Sequence, residues 1–211
     1  MESQWNDDDA RATIERYRAD PRVNDDIALR VYSSRLIGRD TRLVLHGGGN
    51  TSVKTSVMDD TGHDVPVLCV KGSGWDLGEI EPEGLPAVRL QTLGALRERE
   101  SLSDEEMVNA QRTRLIDSSA PNPSVETLLH AFLPHKFIDH SHADAILAIV
   151  DQPEAEAVAR EIYGGRLAAL HVGRSRFLRD VSLCSIDGCD MSFVTLSRCV
   201  AKREQPVLEQ Q

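Results

Sequence analysis

Apolar residues recur at helical spacing between Asn24 and Arg39, where Ile27, Val31, Leu36 and Ile37 predict an amphipathic helix capped by Asn24 or Asp25. TRLVLH (41–46) predicts a strand that stops at Gly47-Gly48-Gly49. TSVKTSVM (51–58) alternates and is rich in β-branched residues, and VPVLCV (65–70) follows the turn chemistry of Asp59-Asp60-Thr61-Gly62. Strands joined by glycine-rich turns predict an antiparallel start to a sheet. Helices are expected over about Pro86–Arg99 and from Ser103, where Ser103 and Glu106 have capping-box spacing. Pro121 and Pro123 mark a loop, and Ser124 stands where the N-cap of a short helix ending at Pro134 would be. KFIDHSH (136–142) reads as a strand and 151–164 as a helix.

The ends lack such pattern. Residues 1–21 are charged and aperiodic and are expected to form a flexible N-terminal segment, leaving 22–165 as the folded domain. Beyond Gly165 the chain turns rich in Ser, Arg and Cys, and 166–211 reads as an atypical tail, truncated or frame-shifted.

Composition narrows the function classes. With 211 residues, 40% hydrophobic and 27% charged, the chain can bury one substantial core. A net charge of −10 argues against nucleic acid or an anionic membrane as partner. No apolar run approaches the roughly 20 residues of a bilayer span, and MESQWNDDDA lacks signal-peptide character, so a cytoplasmic location is expected. Cys69, Cys184, Cys189 and Cys199 form no CxxC pair and are expected to be thiols.

Chemistry concentrates at His140-Ser141-His142, with Glu126 upstream in PSVETLLH. Two imidazoles at i and i+2 on a strand face the same side, half or more of a zinc site, beside a carboxylate able to move protons. Taken alone, HxH is as often a pair of ordinary strand histidines, and a first-turn glutamate commonly just answers its helix dipole. The Gly47–Gly49 run lacks GxGxxG spacing and leads into a strand-like segment, so a dinucleotide fold is rejected; neither glycine loop has Walker lysine placement. Lys71 is open between a charge contribution and a surface role. His46, His130 and His135 are read as structural or surface residues. Cys184, Cys189 and His171 match no structural-zinc spacing.

The order LHGGGNTSVK, VKGSGWDL, PSVETLLHAFLPHKFIDHSHADA resembles the class II aldolase/adducin family over roughly residues 22–165. Within it the chain is most similar to the N-terminal aldolase half of the bifunctional rhamnulose-1-phosphate aldolase/alcohol dehydrogenase proteins. The resemblance implies an α/β fold, a three-layer α/β/α sandwich around a mainly antiparallel central sheet, incomplete here at the C-terminus. It also implies a homo-oligomer, tetrameric in relatives, acting on a small-molecule sugar phosphate in rhamnose catabolism. One Zn2+ per subunit would be held by His140 and His142, with Glu126 as acid/base and Asn50, Ser73, Gly74 and Ser124 on the phosphate. The expected reaction cleaves a ketose 1-phosphate to dihydroxyacetone phosphate and an aldehyde. The alternatives are a sugar-phosphate epimerase on this scaffold and a non-catalytic, adducin-like or truncated inactive domain. Two departures stand out. Ser124-Val125 replaces the family's frequent serine pair, and no later histidine except His171 follows His142.

Overall fold

The computed structural model describes residues 3–99, 101–163 and 191–194. Its centre is a hairpin, β1 (Asn50–Met58) and β2 (Asp64–Val70), paired antiparallel from Ser52↔Val70 to Met58↔Asp64. β3 (Ala87–Arg89) borders β2 antiparallel, and β4 (Phe137–His140) borders β1 antiparallel. β5 (Met191–Val194) runs parallel beside β4, giving the order β3-β2-β1-β4-β5.

The period-2 alternation of β1 and β2 sends side chains to two faces, and helices cover both. On one face Val53, Val67 and Cys69 pack with Ile27 and Val31 of α2 (Asp25–Gly38). On the other, Leu68, Val70 and Val88 meet Leu93 of α3 (Leu90–Gly94) and Leu128 and Phe132 of α5 (Thr127–Phe132). Each such fully buried aliphatic contributes about 1.5–3 kcal/mol. Helix, sheet and helix therefore stack in three layers, a mainly antiparallel α/β sandwich.

Local signals set several boundaries. Asn24 caps α2 by accepting from Ile27 N. Ser103 and Glu106 close a reciprocal capping box on α4 (Asp104–Arg112). α6 (Asp144–Val150) and α7 (Ala155–Tyr163) follow the histidines.

Four expectations are corrected. The N-terminal segment is not a loose lead: α1 (Asp7–Tyr17) is capped by Asn6 and packs on α2, with Trp5 edge-on to Tyr32 and Asn6 N donating to Tyr32 Oη. Residues 41–46 make a turn in place of a strand. Leu43 and Val44 both donate to Asp40 O, and His46 sits at φ 44°, in the left-handed region. The 86–99 segment is broken into β3, α3 and a 3-10 turn at Ala95–Glu98, because Ala87 and Arg89 bond to the 114–116 segment. Finally, Glu126 and not Ser124 occupies the cap position of α5. Of the tail, only β5 falls within the described residues; His171 and Cys184, Cys189 and Cys199 lie outside them.

His130 of α5 is fully buried, sharing a 2.7 Å hydrogen bond between Nδ1 and Ser52 Oγ. Burial, then the nearby His140, Arg30 and Lys54, depress its pKa from 6.5 to about 3. Burial pulls His140 down to about 4, opposed by Glu126 and aided by His142 and Lys71. Both imidazoles bind a proton more readily in the unfolded chain, so stability is full above pH 6.5 and declines as pH falls toward their folded values. Two pH units below 6.5, each contributes a loss of roughly 2–3 kcal/mol. Urea midpoints at neutral pH and about pH 4.5 should differ accordingly, and His130→Gln should flatten the slope. Equal midpoints in the wild type would contradict buried neutral imidazoles.

Candidate active site

Three segments meet at one end of the sheet. The β1–β4 register sets Asn50 directly opposite His140. The turn after β2 carries Lys71 to Gly74, and the isolated bridge Gly72↔Pro123 brings it against the segment leading into α5. Between them lies a pocket of about 230 Å3, lined by Gly47–Gly49, Asn50, Lys71–Ser73, Ser124–Glu126, His140 and His142.

The sharpest contacts surround Glu126. Its Oε2 accepts from Asn50 Nδ2 at 2.7 Å and from Ser124 Oγ at 2.7 Å. Its Oε1 lies 3.9 Å from His140 Nδ1. His140 and His142 share a side, ring centroids 4.9 Å apart and tilted 59°. β4 ends at His140, yet the face is kept, because His142 N donates to Leu43 O and extends the extended path. His140 is buried and His142 is exposed at the mouth.

Close approach of the glycine loop needs glycine. At Gly49, with φ +65°, an added Cβ would lie 2.6 Å from His140 O and 2.7 Å from Val44 Cγ1. At Gly48 it would lie 3.2 Å from His142 Nδ1. Lys71, only 7% exposed, donates from Nζ to Gly47 O at 2.8 Å, while Asp76 Oδ2 accepts from Gly47 N. The loop is thus held from both sides. Burial lowers the Lys71 pKa, against the pull of Asp76 and Glu126.

Of the seven residues singled out in the sequence, Asn50, Ser73, Ser124, Glu126, His140 and His142 line this pocket, and Gly74 lies just outside the lining. Asn50 and Ser124 turn their donors on Glu126, while Ser73 is exposed, its backbone N–H bonded to Asn122 O. Sequence reasoning left Lys71 open and passed over Asp76. A lysine beside a glycine turn was the only available signal for the first, and Asp76 offered none.

His140 Nε2 is buried without a hydrogen-bond partner, a nitrogen donor left over in a pocket that His142 also faces. That pair suits a divalent cation held by nitrogen. Among the described residues no group of three or more His, Cys, Asp or Glu is placed to complete such a site. The arrangement can hold a polarised oxygen near a carboxylate whose Oε1 accepts no hydrogen bond among the described residues.

The family model for the Class II Aldolase and Adducin N-terminal domain matches residues 29–176. A solved structure of the N-terminal class II aldolase domain of a conserved protein from Thermoplasma acidophilum is 42% identical, with a TM-score of 0.65. The match covers 77% of this chain and 70% of that one. The uncharacterized oxidoreductase YuxG of Bacillus subtilis (strain 168) is 45% identical over 136 residues, 64% of this chain and 20% of that protein. The chain therefore spans about a fifth of the curated relative it matches. Among the described residues no helix is long and apolar enough to cross a membrane.

Proposed function

Because this chain belongs to the class II aldolase and adducin family, we propose that its pocket cleaves a ketose 1-phosphate, rhamnulose 1-phosphate first among candidates, into dihydroxyacetone phosphate and an aldehyde. The observation that carries this reading is the convergence of Glu126, His140 and His142 on one pocket rimmed by a glycine loop. The oxidoreductase name belongs to a relative whose greater part lies outside the match.

His140 and His142 would hold Zn2+, which when bound supplies the electrophile for the ketose oxygens. Every remaining demand falls on the chain itself. The substrate's phosphate fits the Gly47–Gly49 loop and Ser73, where small residues leave room for it and the exposed Ser73 hydroxyl can donate, with Gly74 and Ser124 at the edges. Lys71 is the only lysine or arginine among the described lining residues and supplies the balancing positive charge. Cleavage breaks the C3–C4 bond: the C4 hydroxyl loses its proton as its oxygen becomes the aldehyde carbonyl. The bonding pair stays on the three-carbon fragment, and C3 then takes a proton. Glu126 carries protons in this exchange through Oε1, because Oε2 is already committed to Ser124.

Purified protein, chelated and then reloaded with zinc, should release aldehyde from rhamnulose 1-phosphate, measured with a coupled reductase. Turnover should fall to background after chelation and return on reloading. Epimer formation from a pentulose phosphate without aldehyde release would replace the aldolase reading. No reaction with either substrate at full zinc occupancy would reject both.

A further inference from the structure

We propose that Asn50 is a positioning residue that ties Glu126 to His140 and decides which ring nitrogen of His140 carries the proton. The proposal builds on the roles given above to Glu126 and His140. Its basis is the geometry of one amide group. Asn50 Nδ2 lies 2.7 Å from Glu126 Oε2 and 3.0 Å from His140 Nδ1. A carboxylate only accepts, so the Asn50 atom facing it has to be the donating nitrogen. The two N–H groups of that nitrogen go one to each neighbour, and His140 Nδ1 is an acceptor. The ring proton of neutral His140 then sits on Nε2.

Two buried atoms are left over by this arrangement, Asn50 Oδ1 and His140 Nε2, and neither has a partner. Buried polar atoms are seldom left unpaired, and these two belong to the same bonded pair of residues. They complement one another. For His140 to offer the Nε2 lone pair to a cation, its proton has to move to Nδ1. The Asn50 amide has then to turn and present Oδ1 as acceptor, and Glu126 Oε2, which faces the same amide atom, has to give up its hydrogen bond from Asn50. An amide serves both states by rotation, whereas alanine serves neither and aspartate only the second. The backbone under Asn50 is fixed by its pairing with His140 and by the closely packed Gly49 before it. Asn50 is 3% exposed, with both amide hydrogens spent inside the site, so none is left to donate to a substrate phosphate.

Metal-free protein labelled with 15N-histidine provides the test, with the His140 signal assigned from its absence in His140→Gln. In the wild type the proton should reside on Nε2 and move to Nδ1 as zinc is titrated in. Asn50→Ala should give an averaged tautomer and a zinc affinity weaker by about tenfold. Its kcat should fall about 10- to 100-fold, with KM for the phosphorylated substrate within about twofold of wild type. A merely structural role would leave the tautomer unchanged. A raised KM with unaltered tautomer and zinc affinity would make Asn50 a phosphate contact and overturn the proposal. Should Asn50→Ala not fold, the wild-type spectrum still decides, since an Nδ1 proton in the metal-free protein contradicts the geometry. Failure of the aldolase reading is separable: turnover would be absent while the tautomer behaves as described.

Discussion

Glu126→Ala is expected to reduce aldehyde release by about 10²- to 10⁴-fold while leaving zinc content and the unfolding midpoint close to wild type. The size follows from what a positioned proton carrier supplies to a reaction. The selectivity follows from the surroundings. Glu126 is partly exposed, its side chain at 23%, so its removal opens no core cavity. The contact with His140 Nδ1 is long at 3.9 Å, so the histidines keep their placement through β4. Asn50 loses one acceptor but retains His140, and Ser124 keeps its backbone bond, its carbonyl accepting from Thr127 N. Glu126→Gln is the sharper control, because it preserves shape and removes only the capacity to exchange protons. Parallel assays of aldehyde release and metal content by elemental analysis distinguish the cases. Turnover within threefold of wild type in both variants would remove Glu126 from the chemistry, and a joint loss of metal would recast it as a ligand.

The elements legible in the sequence are those whose causes are local. The alternation of TSVKTSVM and VPVLCV survives as β1 and β2 because each face meets its own helix layer. Asn24 and Ser103 mark helix starts because a cap is made within three residues. α1 was missed for the opposite reason. Its charged surface shows little apolar period, and its anchorage comes from afar, through Tyr32 and an ion cluster of Arg16 and Tyr17 with Glu81. Its three first-turn aspartates behind Asn6 were nonetheless readable as a helix start. The 41–46 strand failed because Asp40 O captures two N–H groups that a neighbouring strand would have taken. Within the site, residue identities were visible but their directions were not. Nothing in the order of residues says that Asn50 and Ser124 turn toward one carboxylate, or that Lys71 is buried against Gly47 O. Those facts depend on a bridge between residues 72 and 123.

Behind His140 lies the feature on which the fold's stability is expected to depend most. Arg30 of α2 is fully buried, and its Nη2 lies 2.6 Å from Oδ1 of Asp139, whose side chain is 2% exposed. The contact is an ion pair by distance. Both Asp139 oxygens and Arg30 Nε are buried without a hydrogen-bond partner. Nη1 meanwhile donates to Ser52 O and Ile138 O, reaching across β1 and β4 at the register that sets Asn50 opposite His140. Such a pair is costly to bury, and its removal as a whole differs from its disruption. Arg30→Met should destabilise by about 3–5 kcal/mol, because an uncompensated carboxylate stays in the core. Against a total of about 5–15 kcal/mol for a domain, that is enough to bring unfolding close to ordinary temperatures. Arg30→Met combined with Asp139→Leu should recover most of the loss, since two apolar groups of similar bulk ask nothing of the core. Urea denaturation of the single and double variants measures both numbers. A single-variant cost below about 1 kcal/mol would mean that the pair is solvated, as surface pairs are. The double variant carries the link to function. If the charges also hold the two strands in register, it should be stable yet bind zinc less well than wild type, because Ser52 O and Ile138 O have lost their common donor.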